Sequence, residues 1–159
     1  MDPRLWQTTI LWIHAGAGAI WIGACACFVI AGLTLTPGSV EQRNFAAGAA
    51  PKIDRLALIA ASLLFLTGLL NLSIAGLWRG LAAFSTAFIT ILAVKVGLFI
   101  AMVSVMHSTM RIGAVIKSVI EHGRSDALPT AISRMVKAHT AVVAMGAIAL
   151  MLGLWLMGS

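Results

Sequence analysis

Long apolar runs alternate with short polar segments along the whole chain. Four runs stand out, over residues 6–35, 56–77, 84–106 and 136–157. Each is about 20 residues or longer, which is the length a helix needs to cross roughly 30 Å of hydrocarbon. Nothing resembling an interdomain linker separates them. We therefore predict one all-α membrane domain over 1–159, built as an antiparallel four-helix bundle.

Composition supports a membrane protein over a small soluble domain. Hydrophobic residues make up 60% of the 159 positions, charged residues 10%, and the mean hydropathy is +1.01. A small soluble domain cannot bury so large an apolar fraction. The opening "MDPRLWQ" lacks the basic region of a signal peptide, and the apolar run continues past any plausible cleavage point. We expect the first helix to be retained.

Basic residues are distributed unequally between the two ends of the predicted bundle. With four spans, Arg4 and Arg79 fall on one side, and Lys95 lies inside the third span. The other side holds the remaining eight basic residues, Arg43, Lys52, Arg55, Arg111, Lys117, Arg124, Arg134 and Lys137. The positive-inside rule then predicts an inner (plasma) membrane protein with both termini on the periplasmic or outer side. Because the basic residues cluster between apolar runs, they do not indicate nucleic-acid binding.

The connections differ in length. The first, "TPGSVEQRNFAAGAAPKIDR", has turn residues at both ends and is expected to hold a short interfacial turn, and the second, "WRG", is tight. The third is a long cytoplasmic connection over 107–135. Helical periodicity in "MRIGAVIKSVIEH" predicts that the third helix continues to Gly123. The last helix is expected to begin within "SDALPTAISRMV", with Pro129 in its first turn.

Ionisable residues inside the spans are the main candidates for function, because each costs about 2.5–3.5 kcal/mol at a helix centre. His14 and Lys95 lie eight and eleven residues from the outer ends of their spans, so their depths are similar. Asn71 of the second span falls at the same level, where it could hydrogen-bond His14. His107 and His139 form a second layer near the cytoplasmic ends of spans three and four.

The face around His14 offers a flat recess. Ala17, Gly18, Trp21 and Cys25 share that face at helical spacing, so small residues flank the histidine and a tryptophan can wall one end. On span three, Lys95 shares its face with large apolar side chains, namely Phe88, Phe99, Met102 and Met106. Gly146 and Gly153 line up near the His139 face on span four. The same small residues would also serve close helix packing alone.

Two metal chemistries suit such a site. Haem b takes axial ligands from facing helices plus a flat apolar slot, and a lysine ligates as its neutral amine. Cu(I) prefers soft ligands, for which Cys25, Cys27, Met102 and Met106 are the candidates. The two cysteines point about 160° apart on a helix, which favours a structural role for both over a joint copper site.

Two segments resemble a known superfamily. "IHAGAGAIWIG" and "VKVGLFIAMVSVMHSTMR" are similar to helices of the copper-resistance D (CopD) family and of its relatives, the HemJ-type protoporphyrinogen oxidases. The resemblance implies that His14 and Lys95 are ligands of haem b. It covers about half the chain, in spans one and three.

Together these observations favour a membrane b-type haem protein that transfers electrons, alone or within a larger respiratory assembly. His14 with Lys95 is the first predicted ligand pair, His107 with His139 the second, and Trp21 and Asn71 are further cofactor contacts. Expected partners are the bilayer, a quinone or redox protein, and a second copy or a membrane complex. Copper handling and a non-catalytic accessory subunit remain alternatives, and the pattern does not decide whether the chain is an enzyme.

Overall fold

The computed structural model describes residues 3–80, 84–122 and 128–158. The elements are α1 (Pro3–Thr34), α2 (Val40–Asn44), a π-helical turn (Phe45–Ala49), α3 (Ala50–Arg79), α4 (Thr86–Glu121) and α5 (Leu128–Gly158). The four long helices are apolar and long enough to cross a membrane. The fold is therefore all-helical in its described part, and its four apolar helices indicate a multi-pass membrane protein.

The long helices extend beyond the predicted spans at several ends. As expected, α4 continues well past residue 106, and α5 begins at Leu128 with Pro129 in its first turn. α3 ends at Arg79, where Gly80 caps it with a φ of +73°, so Trp78 and Arg79 of the predicted "WRG" connection belong to the helix. The predicted helix end at Gly123 and loop residues 81–83 lie outside the described residues.

The first connection is more helical than the sequence pattern predicts. Ser39 caps α2 by accepting a hydrogen bond from the Gln42 backbone N–H at 3.1 Å, while Gln42 Oε1 accepts one from Gly38 N–H at 2.8 Å. This reciprocal arrangement is a variant of the capping box and starts a helix. The chain then passes through the π-helical turn directly into α3. Only residues 35–39 remain as a true connection.

The core consists of two clusters of buried side chains between the helices. α1 packs along α3 and α5, and α4 packs along α5, whereas α3 and α4 touch little. The first cluster contains Trp21, Ala24, Cys25, Ala57, Ala60, Ala61, Met102, Met106 and Val142. The second contains Phe28, Ala46, Ala50, Ile116, Leu128, Ile132, Met135 and Val136. Alanines on α3 let α1 approach closely, as small residues do in membrane helix pairs.

Large apolar side chains cover the outside of the helices. Trp12 is 74% exposed, Leu33 71% and Met151 72%. In water so much exposed apolar surface would drive association, whereas the acyl chains of a bilayer are a suitable solvent for it. The apolar outer surface and the length of the helices therefore both indicate a membrane protein.

Glycine at position 146 is required by close helix packing. A Cβ there would lie 2.8 Å from Ile22 Cγ1 and 2.9 Å from Ile22 Cδ1, so Gly146→Ala forces α1 and α5 apart. We expect a loss of about 1–3 kcal/mol of stability, seen as a lower melting temperature in detergent. Gly23→Ala is the matched control, because a Cβ at that position meets nothing within 4 Å. Equal melting temperatures for the two variants would contradict this packing.

Candidate functional site

Polar side chains inside the helices fall into two layers. The His14 layer comprises His14, Thr67, Gly68, Lys95 and Gly153, and the His139 layer comprises Phe28, Asp54, Met135 and His139. On each of α1, α3 and α5 the two layers are 13 or 14 residues apart, as the numbers 14 and 28, 54 and 67, and 139 and 153 show. At 1.5 Å per helical residue, the layers are separated by about 20 Å.

His14 is half-buried, and its hydrogen bond fixes the tautomer of its ring. Nδ1 lies 3.0 Å from Thr67 Oγ1, and that hydroxyl lies 2.7 Å from the Leu63 carbonyl oxygen. A threonine hydroxyl carries one hydrogen and donates it to the carbonyl, so the oxygen accepts from Nδ1–H. In the neutral ring the lone pair then resides on Nε2. This is the tautomer that binds a metal through Nε2, with the other nitrogen held in place.

Lys95 belongs to the same layer. It is half-buried on α4. A Cβ added to Gly153 would approach Lys95 Nζ to 3.1 Å, and one added to Gly68 would approach His14 Cε1 to 3.2 Å. Each of the two predicted first-choice ligands therefore packs against a glycine whose missing Cβ makes room for it.

Aromatic side chains lie next to this layer, toward the middle of the helices. The rings of Trp21 and Phe99 meet edge to face at 5.5 Å, and Phe99 stacks on Phe65 at 5.8 Å. Trp21 is 1% exposed, yet its Nε1–H finds no acceptor in the described part of the chain. A buried indole N–H usually has a partner. Trp21 is thus buried in the core next to the His14 layer, with one donor left over.

The other three predicted site residues have different surroundings. Asn71 is half-buried on α3, but the hydrogen-bond partner of His14 is Thr67, one turn earlier on the same face. His107 is exposed on α4, while His139 is completely buried. His107 and His139 were predicted as a pair because they lie at similar heights along the helices. Their surroundings nevertheless differ, since one side chain is exposed and the other is buried.

His139 is held on three sides in its layer. Its Nε2 lies 3.0 Å from Asp54 Oδ1, and its Nδ1 lies 2.8 Å from the Met135 carbonyl oxygen. Phe28 stacks on the imidazole with ring centroids 4.0 Å apart and planes 8° from parallel. Asp54 is 6% exposed. With both nitrogens bonded and one face covered, His139 has no free nitrogen to offer a metal in this conformation.

The hydrogen bonds of His139 indicate how many protons lie between His139 and Asp54. The Met135 carbonyl can only accept, so Nδ1 must carry a hydrogen. Between Nε2 and Oδ1 there is then one proton, which is either on the ring with an ionised carboxylate or on the carboxyl with a neutral ring. Both forms are electrically neutral as a pair, which reduces the cost of burying them.

Asp54 is a functional candidate that the sequence pattern did not identify. It lies in "PKIDR", which reads as a polar connection, so no acid was expected inside the bundle. A usable signal exists, because Asp54 continues the face formed by Ala50, Ala57 and Ala61 at helical spacing. All three alanines are buried. An acid within a stripe of buried small residues indicates a partner on another helix.

Sulfur atoms occupy the region between the two layers. Cys25 is buried and its Sγ lies 3.9 Å from Met106 Sδ, whereas Cys27 is exposed. This confirms that the two cysteines point to different sides of α1. In the described part of the chain, no three His, Cys, Asp or Glu side chains converge as a metal site.

Comparisons with known proteins found no relative. No family model matches the chain, no curated protein matches it, and no solved structure matches it. The similarity of the first and third spans to CopD and HemJ-type proteins therefore stays a prediction.

Proposed function

We propose that this chain is an inner-membrane protein that binds a b-type haem through His14 and Lys95 and takes part in electron transfer. The observation that carries the proposal is the hydrogen bond between His14 and Thr67. The Nδ1 of His14 is committed to Thr67, so Nε2 retains its lone pair at the depth of a second nitrogen donor, Lys95. The usual protein ligand of haem iron is an imidazole whose other ring nitrogen is held by a hydrogen bond.

The surrounding residues fit this group. Gly68 and Gly153 lie against the two candidate ligands, and a side chain at either position would crowd the His14 ring or the Lys95 amine. Trp21 and Phe99 are aromatic side chains next to the two candidate ligands, and the indole N–H of Trp21 has no acceptor in the described part of the chain. A bound haem supplies one-electron exchange between ferric and ferrous iron. Thr67 orients the His14 ring, and the apolar surroundings exclude water.

An antiparallel arrangement with both termini outside forms part of the proposal. On α1 and α5, Ile22 faces Gly146 while Phe28 faces His139, so rising numbers on one helix meet falling numbers on the other. The eight-to-two distribution of basic residues supports the orientation with the termini at the outer surface. In this orientation the His14 layer lies toward the outside and the His139 layer toward the cytoplasm.

Thr67→Val tests the proposal by removing the hydroxyl that holds the His14 ring in place. The variant removes the acceptor of Nδ1–H and leaves the shape nearly unchanged, so haem affinity is expected to fall by about 10–100-fold. Thr90→Val is the matched control, because the exposed Thr90 hydroxyl only bonds the Thr86 carbonyl of its own helix. The measurement is a haem titration of each purified variant, followed at the Soret band. Identical affinities for both variants would overturn the assignment of His14.

Copper binding is a second candidate with one specific observation in its favour. Cys25 and Met106 bring two sulfur atoms within 3.9 Å, and the buried Met102 belongs to the same core cluster. Thiolate and thioether sulfur are preferred ligands of Cu(I). Metal analysis decides between the candidates, since copper without iron in the purified protein would favour the sulfur site.

A further inference from the structure

A cavity of about 570 Å³ opens beside the His139 layer, between the π-helical turn, the start of α3 and the second half of α4. Its volume lies within the range of small-molecule sites, about 300–1,000 Å³. Large apolar side chains provide much of its wall, including Leu58, Met110 and Ile116. The cavity is separate from the proposed haem site, because it lies about 20 Å further along the helices.

The space exists because of local backbone structure and small residues. Ala46 and Ala47 of the π-helical turn line one side, and Gly113 and Ala114 of α4 line another. A π-helical turn is rare and is frequently found at functional sites. A Cβ added to Gly113 would meet nothing within 4 Å. Larger side chains at these positions would close the cavity.

The polar part of the wall comes from Asp54, which is hydrogen-bonded to His139. Asp54 lines the cavity, and Met135 lines it too while its carbonyl accepts from His139. Only one carboxylate oxygen, Oδ1, is bonded to the ring. The carboxylate can therefore accept a further hydrogen bond from a molecule in the cavity. Because Asp54 and His139 are neutral as a pair, a neutral hydroxyl donor suits this wall and needs no counter-ion.

We propose that the cavity binds the ring of a lipid-soluble hydroquinone, whose hydroxyl donates a hydrogen bond to Asp54. The apolar wall holds the ring, and His139 positions the carboxylate. The choice of a redox-active lipid rests on the proposed electron-transfer function. Binding itself requires no haem, so it is measurable in a haem-free variant. Arg55 and Lys117 also line the cavity and would favour an anionic phospholipid, which is the principal competitor.

The test is a binding titration with 2-heptyl-4-hydroxyquinoline N-oxide, a hydroquinone analogue whose fluorescence is quenched on binding. Displacement by decylubiquinol and by phosphatidylglycerol is measured in parallel on the wild-type protein. We expect saturable binding that decylubiquinol reverses and phosphatidylglycerol does not. The same titration on His14→Ala should give an unchanged affinity, which separates the fate of this proposal from that of the haem site.

Two variants connect binding to the cavity. Gly113→Leu fills it without touching Asp54 and is expected to weaken probe binding at least about tenfold. Gly97→Leu is the matched control on the same helix, since Gly97 also has open space at its Cβ and does not line the cavity. Asp54→Asn should weaken binding in a folded protein by removing the carboxylate. Equal affinity for Gly113→Leu and Gly97→Leu, no saturable binding to the wild type, or displacement by phosphatidylglycerol alone would overturn the proposal.

Discussion

Replacing His14 with alanine is expected to reduce the haem content of the purified protein to less than about a tenth of the wild-type ratio. The reason is that the imidazole Nε2 is the donor whose lone pair is fixed by the bond to Thr67. Helix packing should survive, because His14 is only half-buried and alanine is a good helix former. The measurement is the haem-to-protein ratio, with the melting temperature recorded on the same sample.

Two further variants make this result specific. His107→Ala removes an exposed histidine on α4 and should retain full haem occupancy. Lys95→Leu removes the second proposed ligand and should leave His14 to hold the iron alone, so a shift of the Soret band to a high-spin form is expected. Full occupancy in His14→Ala, with an unchanged spectrum, would exclude His14 from the site.

Asp54→Ala is expected to cost about 3–5 kcal/mol of stability. The variant leaves Nε2 of a completely buried His139 without its partner. Thermal unfolding in detergent, compared with wild type, measures the effect. Glu41→Ala is a suitable control, because Glu41 is an exposed acid and its removal should leave the melting temperature close to that of wild type.

A double substitution distinguishes a lost ion pair from general damage. Asp54→Leu combined with His139→Phe replaces both polar groups by apolar ones, and the new ring can pack on Phe28. Replacing a buried pair in this way is often neutral or stabilising. We therefore expect the double variant to melt well above either single variant. Losses that simply add would show that the two side chains are not coupled.

The helices themselves were largely predictable from local pattern. Apolar runs of about 20 residues indicate membrane helices whatever surrounds them, and "MRIGAVIKSVIEH" correctly predicted the extension of α4. Helical geometry also predicted that Cys25 and Cys27 would face different ways. These properties depend on residues that are close in sequence, so the sequence alone determines them.

Long-range pairing was the part that the pattern could not reveal. The predicted second span began at residue 56, because "PKIDR" contains three charges, whereas α3 begins at Ala50. Asp54 is tolerated inside because His139, on another helix, pairs with it. Similarly, the position of Asn71 identified the correct face of α3 for a partner of His14, but the rotation and height of α3 select Thr67. His107 and His139 differ because rotation about the helix axis determines exposure.

The central claim is that this bundle carries a haem, and a reduced-minus-oxidised visible spectrum of the detergent-purified protein tests it most directly. Iron and copper are determined on the same sample. The account predicts a sharp α band typical of a b-type cytochrome, with iron near one atom per chain. A featureless spectrum without iron would contradict it, and copper in that sample would transfer the site to Cys25, Met102 and Met106.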